Sequence, residues 1–405
     1  MTVYLTARNP TDTVTLGLLP AAARLGRDVV LLTDQPAAHE AAYARRQAAP
    51  VAVIGAEVGD AGAVASRVAT LQGRHGRPTA LLSNSDHLQA ATAMAAELLG
   101  LPAKPWQATV RAKNKALTRH CLATAGLDTV AAVELGPADR PEFAVFPAVV
   151  KPREGVASED VLLVGDGAEL VAAVTAIRAR RPGAALVVEE YLDGPLLTYD
   201  TLGDGRRRCH VGTWRTTLGP PPTFTEVRLD WAPTAAAAAR AHLDAQLDAL
   251  GVGFGACHTE VVLQGDRARI IEVNYRLIGD LMDLVTVDVL GRETGTDLFE
   301  VLLRVHAGEP LPARIGAAGV RRHGRVDYVL ADRAGTFTVA PPDGEQAAAG
   351  GVKLGHRRLR AVGVRAPLHG SNRDYLAAVW GTGPDAPSVD AAVDGFRAAH
   401  AWRIT

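Results

Sequence analysis

The chain has 405 residues, in which 43 Lys and Arg balance 44 Asp and Glu to a formal net charge of -1. This balance argues against a nucleic-acid binder, which normally carries a basic surplus, but it allows a local basic pocket for one small anion. The three cysteines, Cys121, Cys209 and Cys257, include no C-x-x-C pair. We therefore predict reduced core thiols rather than a disulfide framework or a zinc site.

The first ten residues lack a basic-then-apolar signal pattern. No run approaches the roughly 18 apolar residues that cross a bilayer. We therefore expect a cytoplasmic protein whose partners are small molecules, with neither a membrane nor a nucleic acid among them.

The first hundred residues alternate short apolar strands with segments of helical spacing. Strands are predicted at 3–7, 28–33, 51–54 and 79–83, and helices at 14–25, 61–73 and 86–99. Continuous apolar strands separated by helices predict a parallel sheet that is covered on both faces. The first turn, ARNPTDTVTLG, has no G-x-G-x-x-G motif, which favours a scaffold domain lining a substrate cleft over a dinucleotide-binding domain.

The pattern changes near 102–107, and strands and helices are more mixed from there. We predict helices at 113–125, 169–181 and 234–250, strands at 148–151 and 185–189, and short strands through the rest of 197–271. Gly126 is a natural left-handed stop for the first of these helices, and helix propensity explains the alanine run inside the third. After Pro310 the periodicity is poor, with short strands and turns between 350 and 368 and a terminal helix at 388–400.

The strongest chemical signal lies in GVGFGACHTEVVLQGDRARIIEVNYR, residues 251–276. Two apolar strands flank the turn sequence QGD, which predicts a hairpin. Glu272 and Asn274 are two residues apart and face the same side of their strand. Arg276 extends that row. Glu260, on the partner strand, can lie across from Glu272 and Asn274 on the same face.

Two carboxylates and an amide oxygen on one strand face suit Mg²⁺, with Mn²⁺ as an alternative. The alternative to a metal site is an exposed strand face with ordinary polar alternation. The two strands are otherwise unusually apolar, so buried carboxylates would be costly there without a cation. We therefore predict a metal site at Glu260, Glu272 and Asn274. His258 lies on the same face as Glu260, where it could orient an amine or act as a base, or have only a supporting or packing role.

These residues resemble the signature of the ATP-grasp superfamily, in which a Glu on one strand is followed by E-x-N-x-R on the next. The resemblance implies two lysines that bind the ATP phosphates. Lys115, near the start of a helix, matches the first lysine, with Lys113 as the alternative. Lys151, in the apolar strand FPAVVKP, matches the second.

The resemblance further implies a loop that folds over the phosphates and a segment that receives adenine. Residues 153–158 hold the place of the loop, with Gly155 and Ser158 as candidate contacts, since backbone N–H groups in such a loop can cradle oxygens. The segment LVVEEYLDGP matches the adenine segment, with Glu189, Glu190, Tyr191 and Leu192 as the carried-over positions. Many family members hold the ribose hydroxyls with a glutamate at the position that is Leu196 here, so another acid replaces it or the contact is lost.

The resemblance covers roughly residues 1–310 and implies the ATP-grasp fold, with α/β and α+β parts. The expected domains are an N-terminal parallel-sheet (pre-ATP-grasp) domain at 1–106, an ATP-grasp domain at 107–310 with a small half at 107–195 and a large half at 196–310, and a small closing domain of mixed α/β type at 311–405.

The function that the resemblance implies is that of an ADP-forming carboxylate–amine ligase. A small carboxylate attacks the γ-phosphate of ATP to give an acyl phosphate, which Arg276 would stabilise, and an amine then displaces phosphate to form an amide or peptide bond. The chain looks most like stand-alone ligases of dipeptide, siderophore or other specialised metabolism, and a homodimer is the default assembly. The alternatives are biotin-carboxylase-like activation of bicarbonate and a non-catalytic ATP-binding module.

Overall fold

The computed structural model describes residues 1–44 and 46–405. It begins with a sheet built from short runs of buried apolar residues. The strands are β1 (Thr2–Thr6), β2 (Asp28–Thr33), β3 (Ala52–Gly55) and β4 (Pro78–Leu82). They are arranged in the order β3-β2-β1-β4 and are parallel throughout. The parallel sheet predicted from the alternating pattern is therefore confirmed.

Helices cover both faces of this sheet. A π-helical turn at Thr13–Leu18 runs into α1 (Leu19–Arg24), followed by α2 (Pro36–Tyr43), α3 (Ala61–His75), a 3-10 turn at Asp86–Leu88 and α4 (Gln89–Leu98). Alternate strand residues enter separate apolar clusters, with Leu5 and Leu31 in one and Tyr4 and Val30 in the other. Since parallel strands end at the same edge, the turns after β1 and β4 emerge side by side.

A small antiparallel sheet follows two short helices, α5 (Trp106–Lys113) and α6 (Lys115–Thr124). Its strands are β5 (Ala132–Leu135), β6 (Ala148–Pro152), β7 (Leu162–Val164) and β8 (Leu186–Glu190), in the order β5-β8-β6-β7, with α7 (Gly167–Arg180) packed against it. The helix predicted at 113–125 is present as α6 but begins at Lys115, and Lys113 belongs to α5, which was not predicted. Asn114 has an extended backbone and caps α6, because its side chain accepts a hydrogen bond from the Leu117 N–H at 3.1 Å.

The largest sheet is antiparallel and joins the middle of the chain to its C-terminal part. The remaining strands are β9 (Leu196–Asp204), β10 (Arg208–Gly212), β11 (Trp214–Leu218), β12 (Glu226–Trp231), β13 (Phe254–Gln264), β14 (Arg267–Asn274), β15 (His323–Leu330), β16 (Gly335–Val339), β17 (Gly344–Ala348), β18 (Val352–Arg358), β19 (Arg365–Ala366), β20 (Tyr375–Gly383) and β21 (Arg403–Ile404). The order in the large sheet is β14-β13-β9-β11-β12-β15-β20-β18-β17, and β10 pairs with β9. A separate small sheet has the order β19-β16-β21.

Helices pack on this large sheet from both the middle and the end of the chain. They are α8 (Arg240–Leu250), α9 (Asp280–Thr294), α10 (Leu298–His306) and α11 (Ala386–Ala399), with 3-10 turns at Ala349–Gly351 and Asn372–Asp374. The helix predicted at 234–250 was too long, because residues 234–239 form turns with hydrogen bonds between residues three apart, such as Ala237 N–H to the Thr234 carbonyl at 3.0 Å.

The large sheet continues across position 310. Strand β12 pairs with β15, and β15 pairs with β20. The predicted second and third domains therefore share one sheet, and the boundary between them remains a prediction. In the described part of the chain, no helix combines the length and apolar character needed to cross a bilayer.

Candidate active site

A cavity of about 650 Å³ lies between the sheets. Its walls come from the turns after β1 and β4, from β6 and β8 of the small sheet, and from β12, β13, β14, β15 and β20 of the large sheet. Apolar side chains form part of the wall, among them Val149, Leu192, Leu196, Val262 and Ile271. Charged side chains come from both sheets, with Glu226, Glu260 and Glu272 on the large sheet and Lys151, Glu189 and Glu190 on the small one. The volume is within the range of about 300–1,000 Å³ that is usual for small-molecule sites.

The register of the β13–β14 hairpin brings the predicted metal ligands together. Glu260 lies directly opposite Glu272, and His258 lies opposite Asn274. The Glu260 and Glu272 side chains are 28% and 19% exposed, and both line the cavity together with Asn274. No group of three or more His, Cys, Asp and Glu residues is arranged to hold a metal ion within the described residues. The candidate donor set is therefore two carboxylates and one amide.

The break between α5 and α6 brings Lys115 to this carboxylate pair. The Lys115 Nζ lies 2.8 Å from the Glu272 Oε1. Burial disfavours the charged ammonium, but Glu272 and then Glu260 outweigh it and raise the pKa of Lys115 above its usual value. Lys113 instead forms an ion pair with Asp86. Of the two lysines that the sequence left open, Lys115 is the one beside the carboxylates.

Lys151 lines the cavity next to a buried carboxylate. Its Nζ lies 2.7 Å from the Glu189 Oε2, and the same carboxylate accepts hydrogen bonds from Arg119 at 2.9 and 3.0 Å. Burial opposes ionisation of Glu189, yet Arg119 and Lys151 lower its pKa to about 2. Burial lowers the pKa of Lys151 despite the attraction of Glu189. The Glu189 side chain thus fixes Lys151 in the cavity wall.

Arg276 extends the row of Glu272 and Asn274, as the strand spacing predicts. Its Nη2 donates to the Asn274 Oδ1 at 3.3 Å, and its Nη1 donates to the Leu277 carbonyl at 2.7 Å. The Nε lies 3.5 Å from the Asp86 Oδ1. These contacts hold the guanidinium at the cavity wall, next to the candidate metal ligands.

His258 is held between two acids. Its Nδ1–H donates to the Asp200 Oδ1 at 2.7 Å, and its Nε2 lies 3.7 Å from the Glu260 Oε1. Although burial disfavours the charged ring, Asp200 and Glu260 raise the pKa of His258 to about 10. The two acids therefore fix the ring beside Glu260, and its role as a base or as a support stays a prediction.

Comparison with known proteins gives matches in structure. No family model matches the sequence, and no curated protein matches it. The L-amino acid ligase from Bacillus licheniformis superposes with a TM-score of 0.78 at 20% identity, covering 100% of this chain and 98% of that one. The phosphoribosylglycinamide synthetase from Anaerococcus prevotii superposes with a TM-score of 0.70 at 12% identity, covering 100% of this chain and 99% of that one. The biotin carboxylase domain of the 2-oxoglutarate carboxylase from Hydrogenobacter thermophilus superposes with a TM-score of 0.65 at 16% identity, covering 100% of this chain and 90% of that one.

The chain has the ATP-grasp fold. This confirms the predicted fold class, with its parallel-sheet domain and its large antiparallel sheet. At these identities the similarity establishes the fold alone.

The predicted loop of this ATP-grasp fold is pinned over the cavity. Gly155 and Ser158 line the cavity, and Ser158 has a left-handed backbone with a φ of 53°, a conformation that costs energy for a non-glycine residue. The Asn372 N–H donates to the Ala157 carbonyl at 3.2 Å, and Arg373 forms an ion pair with Glu159. The loop is therefore tied to the C-terminal part of the chain.

The segment carried over as the ATP-grasp adenine site also lines the cavity, at Glu190, Tyr191 and Leu192. The Glu190 N–H donates to the Ala131 carbonyl, and the Tyr191 N–H donates to the Pro147 carbonyl, both at 2.9 Å. These two backbone donors are therefore already used within the protein, and the role of the segment stays a prediction. Leu196 lines the same wall and presents an apolar side chain where many ATP-grasp proteins have an acid.

Several residues lining the cavity were missed by the sequence analysis. They are Arg8, after β1, Glu226 at the start of β12, Tyr328 on β15 and Tyr375 on β20. Burial, and then the charge of Glu260, raise the pKa of Glu226 to about 7. None of these residues lies in a local motif. Only the position of Arg8 directly after a parallel strand could have suggested it, since ligands often bind at that edge of a sheet.

Proposed function

We propose that this protein is an ADP-forming, Mg²⁺- and ATP-dependent ligase that joins a small carboxylate to an amine. The observation that carries the proposal is the hairpin wall, where Glu260 faces Glu272 in register and Lys115 pairs with Glu272. One wall of a cavity of suitable size thus carries two carboxylates that can bind a metal cation and an ammonium that can bind phosphate. The L-amino acid ligase and phosphoribosylglycinamide synthetase have the same fold, and the carboxylase domain holds MgADP and bicarbonate.

The residues of the wall fit a divalent cation. Two carboxylates and an amide oxygen are hard donors that leave positions for water and phosphate oxygens. Glu260, Glu272 and Asn274 would hold Mg²⁺, or Mn²⁺ in its place, and the chemistry supplied by the cation would be neutralisation of phosphate charge.

The chemistry needs no covalent nucleophile from the protein. A carboxylate oxygen of the substrate attacks the γ-phosphorus, the bond to ADP breaks, and an acyl phosphate results. The amine nitrogen then attacks the acyl carbon, phosphate leaves with the former carboxylate oxygen, and the nitrogen loses a proton. Lys115 and Lys151 would balance the phosphate charge, and Arg276 would hold the transferred phosphoryl group. The loop at 153–158, tied to Asn372 at Ala157 and followed directly by the ion pair of Glu159 with Arg373, would exclude water from the acyl phosphate.

The test is a release assay for ADP with Mg-ATP and pooled amino and hydroxy acids, with products identified by mass spectrometry. The proposal predicts ADP release that requires both an acid and an amine, with one amide formed per ADP. A Glu272→Gln variant should lose this turnover, whereas Asp266→Asn, at the exposed turn of the same hairpin, should keep it. Full activity of the Glu272→Gln variant would contradict the metal assignment.

The same assay separates the alternatives. ADP release that requires bicarbonate and biotin would identify carboxylase chemistry, for which the carboxylase domain with MgADP and bicarbonate is the precedent. Retained ATP binding without turnover on any pool would identify a non-catalytic module. Light scattering of the purified protein measures its molar mass in solution and so tests the homodimer that is expected by default. A place in dipeptide, siderophore or other specialised metabolism is part of the proposal and depends on the product identified.

A further inference from the structure

Two acids in the cavity, Glu226 and Asp280, have no cationic partner in the described part of the chain, and only Glu226 also lacks a backbone donor. The acids that line the cavity are Asp86, Glu189, Glu190, Glu226, Glu260, Glu272 and Asp280. Most of them have a cationic neighbour: Lys113 for Asp86, Arg269 for Glu190, and the Lys, Arg and His contacts described above for Glu189, Glu260 and Glu272. Asp280 accepts a hydrogen bond from the Asp12 N–H at 3.2 Å. Among the described residues, Glu226 is the lining acid left without an ion pair or a backbone donor.

Two other polar atoms close to Glu226 are also unsatisfied. The Asn372 Oδ1 and the Tyr375 hydroxyl are shielded from solvent and have no hydrogen-bond partner in the part of the chain that the structure describes. Both residues line the cavity together with Glu226. Burial, and then the charge of Glu226, raise the pKa of Tyr375. Buried polar atoms are normally paired, so this cluster points to a missing donor.

The chemistry of the cluster selects the donor. A carboxylate, an amide oxygen and a hydroxyl oxygen are three acceptors, and a primary ammonium carries one positive charge and three N–H donors. The Tyr375 ring stacks on Tyr328 with centroids 4.1 Å apart and an interplanar angle of 5°, which adds an aromatic wall that attracts a cation. A hydroxyl or a carboxylate ligand would leave the charge of Glu226 uncompensated.

The position of the cluster indicates which amine it holds. Glu226 lies close enough to Glu260 and Glu272 for their charges to act on it, so the cluster adjoins the place where phosphoryl transfer would occur. An attacking amine must lose its proton, and three acceptors around an ammonium would oppose that loss. The cluster therefore suits an ammonium that does not react.

We propose that Glu226, Asn372 and Tyr375 bind the ammonium group of the substrate whose carboxylate is phosphorylated, so that this substrate is an amino acid. The inference rests on the proposed ligase function and assigns the class of its acid substrate. The attacking amine is bound elsewhere in the cavity.

The test isolates the first step by supplying hydroxylamine, which traps acyl phosphates as hydroxamates. Each of the twenty L-amino acids is compared with its desamino acid, and the best amino acid is then taken through the variants. The wild type should form hydroxamate with amino acids and much less with desamino acids. Glu226→Gln should raise the KM for the amino acid roughly 10- to 100-fold, the loss expected for a hydrogen bond to a charged group, with the KM for ATP unchanged.

Further variants protect the test from a folding defect. Tyr375→Phe removes only the hydroxyl and should raise the same KM by a smaller factor, Glu226→Asp should restore part of the affinity, and Glu345→Gln, on the exposed edge strand β17, should behave as the wild type. A wild-type KM in Glu226→Gln, or equal use of desamino acids, would overturn the inference. A raised KM only for the attacking amine would overturn it as well.

A binding experiment separates failure of this inference from failure of the ligase proposal. Ethylammonium chloride is titrated into wild type and Glu226→Gln in the presence of Mg²⁺ and a non-hydrolysable ATP analogue, with the melting temperature as the readout. A rise in the wild type that is absent from the variant supports the ammonium site even if no acid gives hydroxamate. Equal behaviour of the two proteins overturns the site even if the ligase is active.

Discussion

The buried carboxylate of Glu189 gives a prediction whose size follows from the structure. It lies 2.9 Å from the Arg119 Nε and 2.7 Å from the Lys151 Nζ, and all three side chains are buried. Its pKa falls from 4.5 to about 2 because the two cations outweigh burial. At about 1.4 kcal/mol per unit, this shift corresponds to about 3 kcal/mol of folding free energy. We therefore expect Glu189→Gln, which keeps the shape and removes the charge, to lose about 3–5 kcal/mol, as other broken buried pairs do.

The sign of the pH dependence follows from the direction of the shift. A carboxyl whose folded pKa is depressed stabilises the protein above its unfolded pKa and loses this contribution as the pH falls through the folded value. The difference between wild type and Glu189→Gln should be full above about pH 4.5 and shrink towards pH 2. Urea unfolding of both proteins at a series of pH values measures this difference in the free energy of unfolding.

The matched control is Glu345→Gln, which removes an exposed ion pair to Lys353 of 2.9 Å. Exposed pairs contribute at most about 1 kcal/mol. If Glu189→Gln cost no more than this control at pH 7, the assignment of Glu189 as the anchor of two buried cations would be refuted.

Three further predictions concern single residues. Lys115→Met should weaken ADP binding in Mg²⁺ roughly 10- to 100-fold, because a charged hydrogen-bond donor to phosphate is lost; calorimetry measures it, and unchanged affinity would contradict the role of Lys115. Burial lowers the pKa of Lys104 to about 7 from 10.5, so the unfolded chain binds more protons between these values and wild-type stability should rise with pH there. The free energy of unfolding, measured with urea at pH 7 and pH 9.5, should not rise in this way in Lys104→Met. An equal rise in wild type and variant would contradict the lowered pKa of Lys104. Arg373→Ala removes one of the two ion pairs of Glu159, which keeps Arg181, and so weakens the tie between the loop and the C-terminal part of the chain. The KM for ATP should rise several-fold with little change in kcat in a steady-state assay of ADP release, and an unchanged KM would contradict this role.

The parts of the site that were predictable lie in continuous sequence. The QGD turn and the alternating strands around it predict the hairpin, but the register set at the turn, with Gln264 opposite Arg267, would place Glu260 opposite Ile271. A register shift between Glu260 and Val261, which the sequence analysis did not predict, places Glu260 opposite Glu272 instead. The parallel sheet was predictable for a similar reason, since its strands are continuous apolar runs separated by helices.

The parts that were missed depend on contacts between distant segments. Strands β15 and β20 pair with each other and join β12, and a local pattern does not encode which strand pairs with which. Tyr375 reaches the cavity through the pairing of β20 with β15, and Glu226 through the pairing of β12 with β11. The break at Asn114 was also missed, because helix-forming residues on both sides hid a cap that is recognised by its backbone conformation.

The central claim is that Glu260 and Glu272 together hold a divalent cation that carries a nucleotide. Calorimetric titration of ADP with and without Mg²⁺, in the wild type and in a Glu260→Gln, Glu272→Gln double variant, tests it directly, with Asp266→Asn as the control. The account predicts that Mg²⁺ strengthens ADP binding at least about 10-fold in the wild type and the control, because the cation neutralises phosphate at the two carboxylates, and has no such effect in the double variant. An equal gain from Mg²⁺ in all three proteins would contradict the claim.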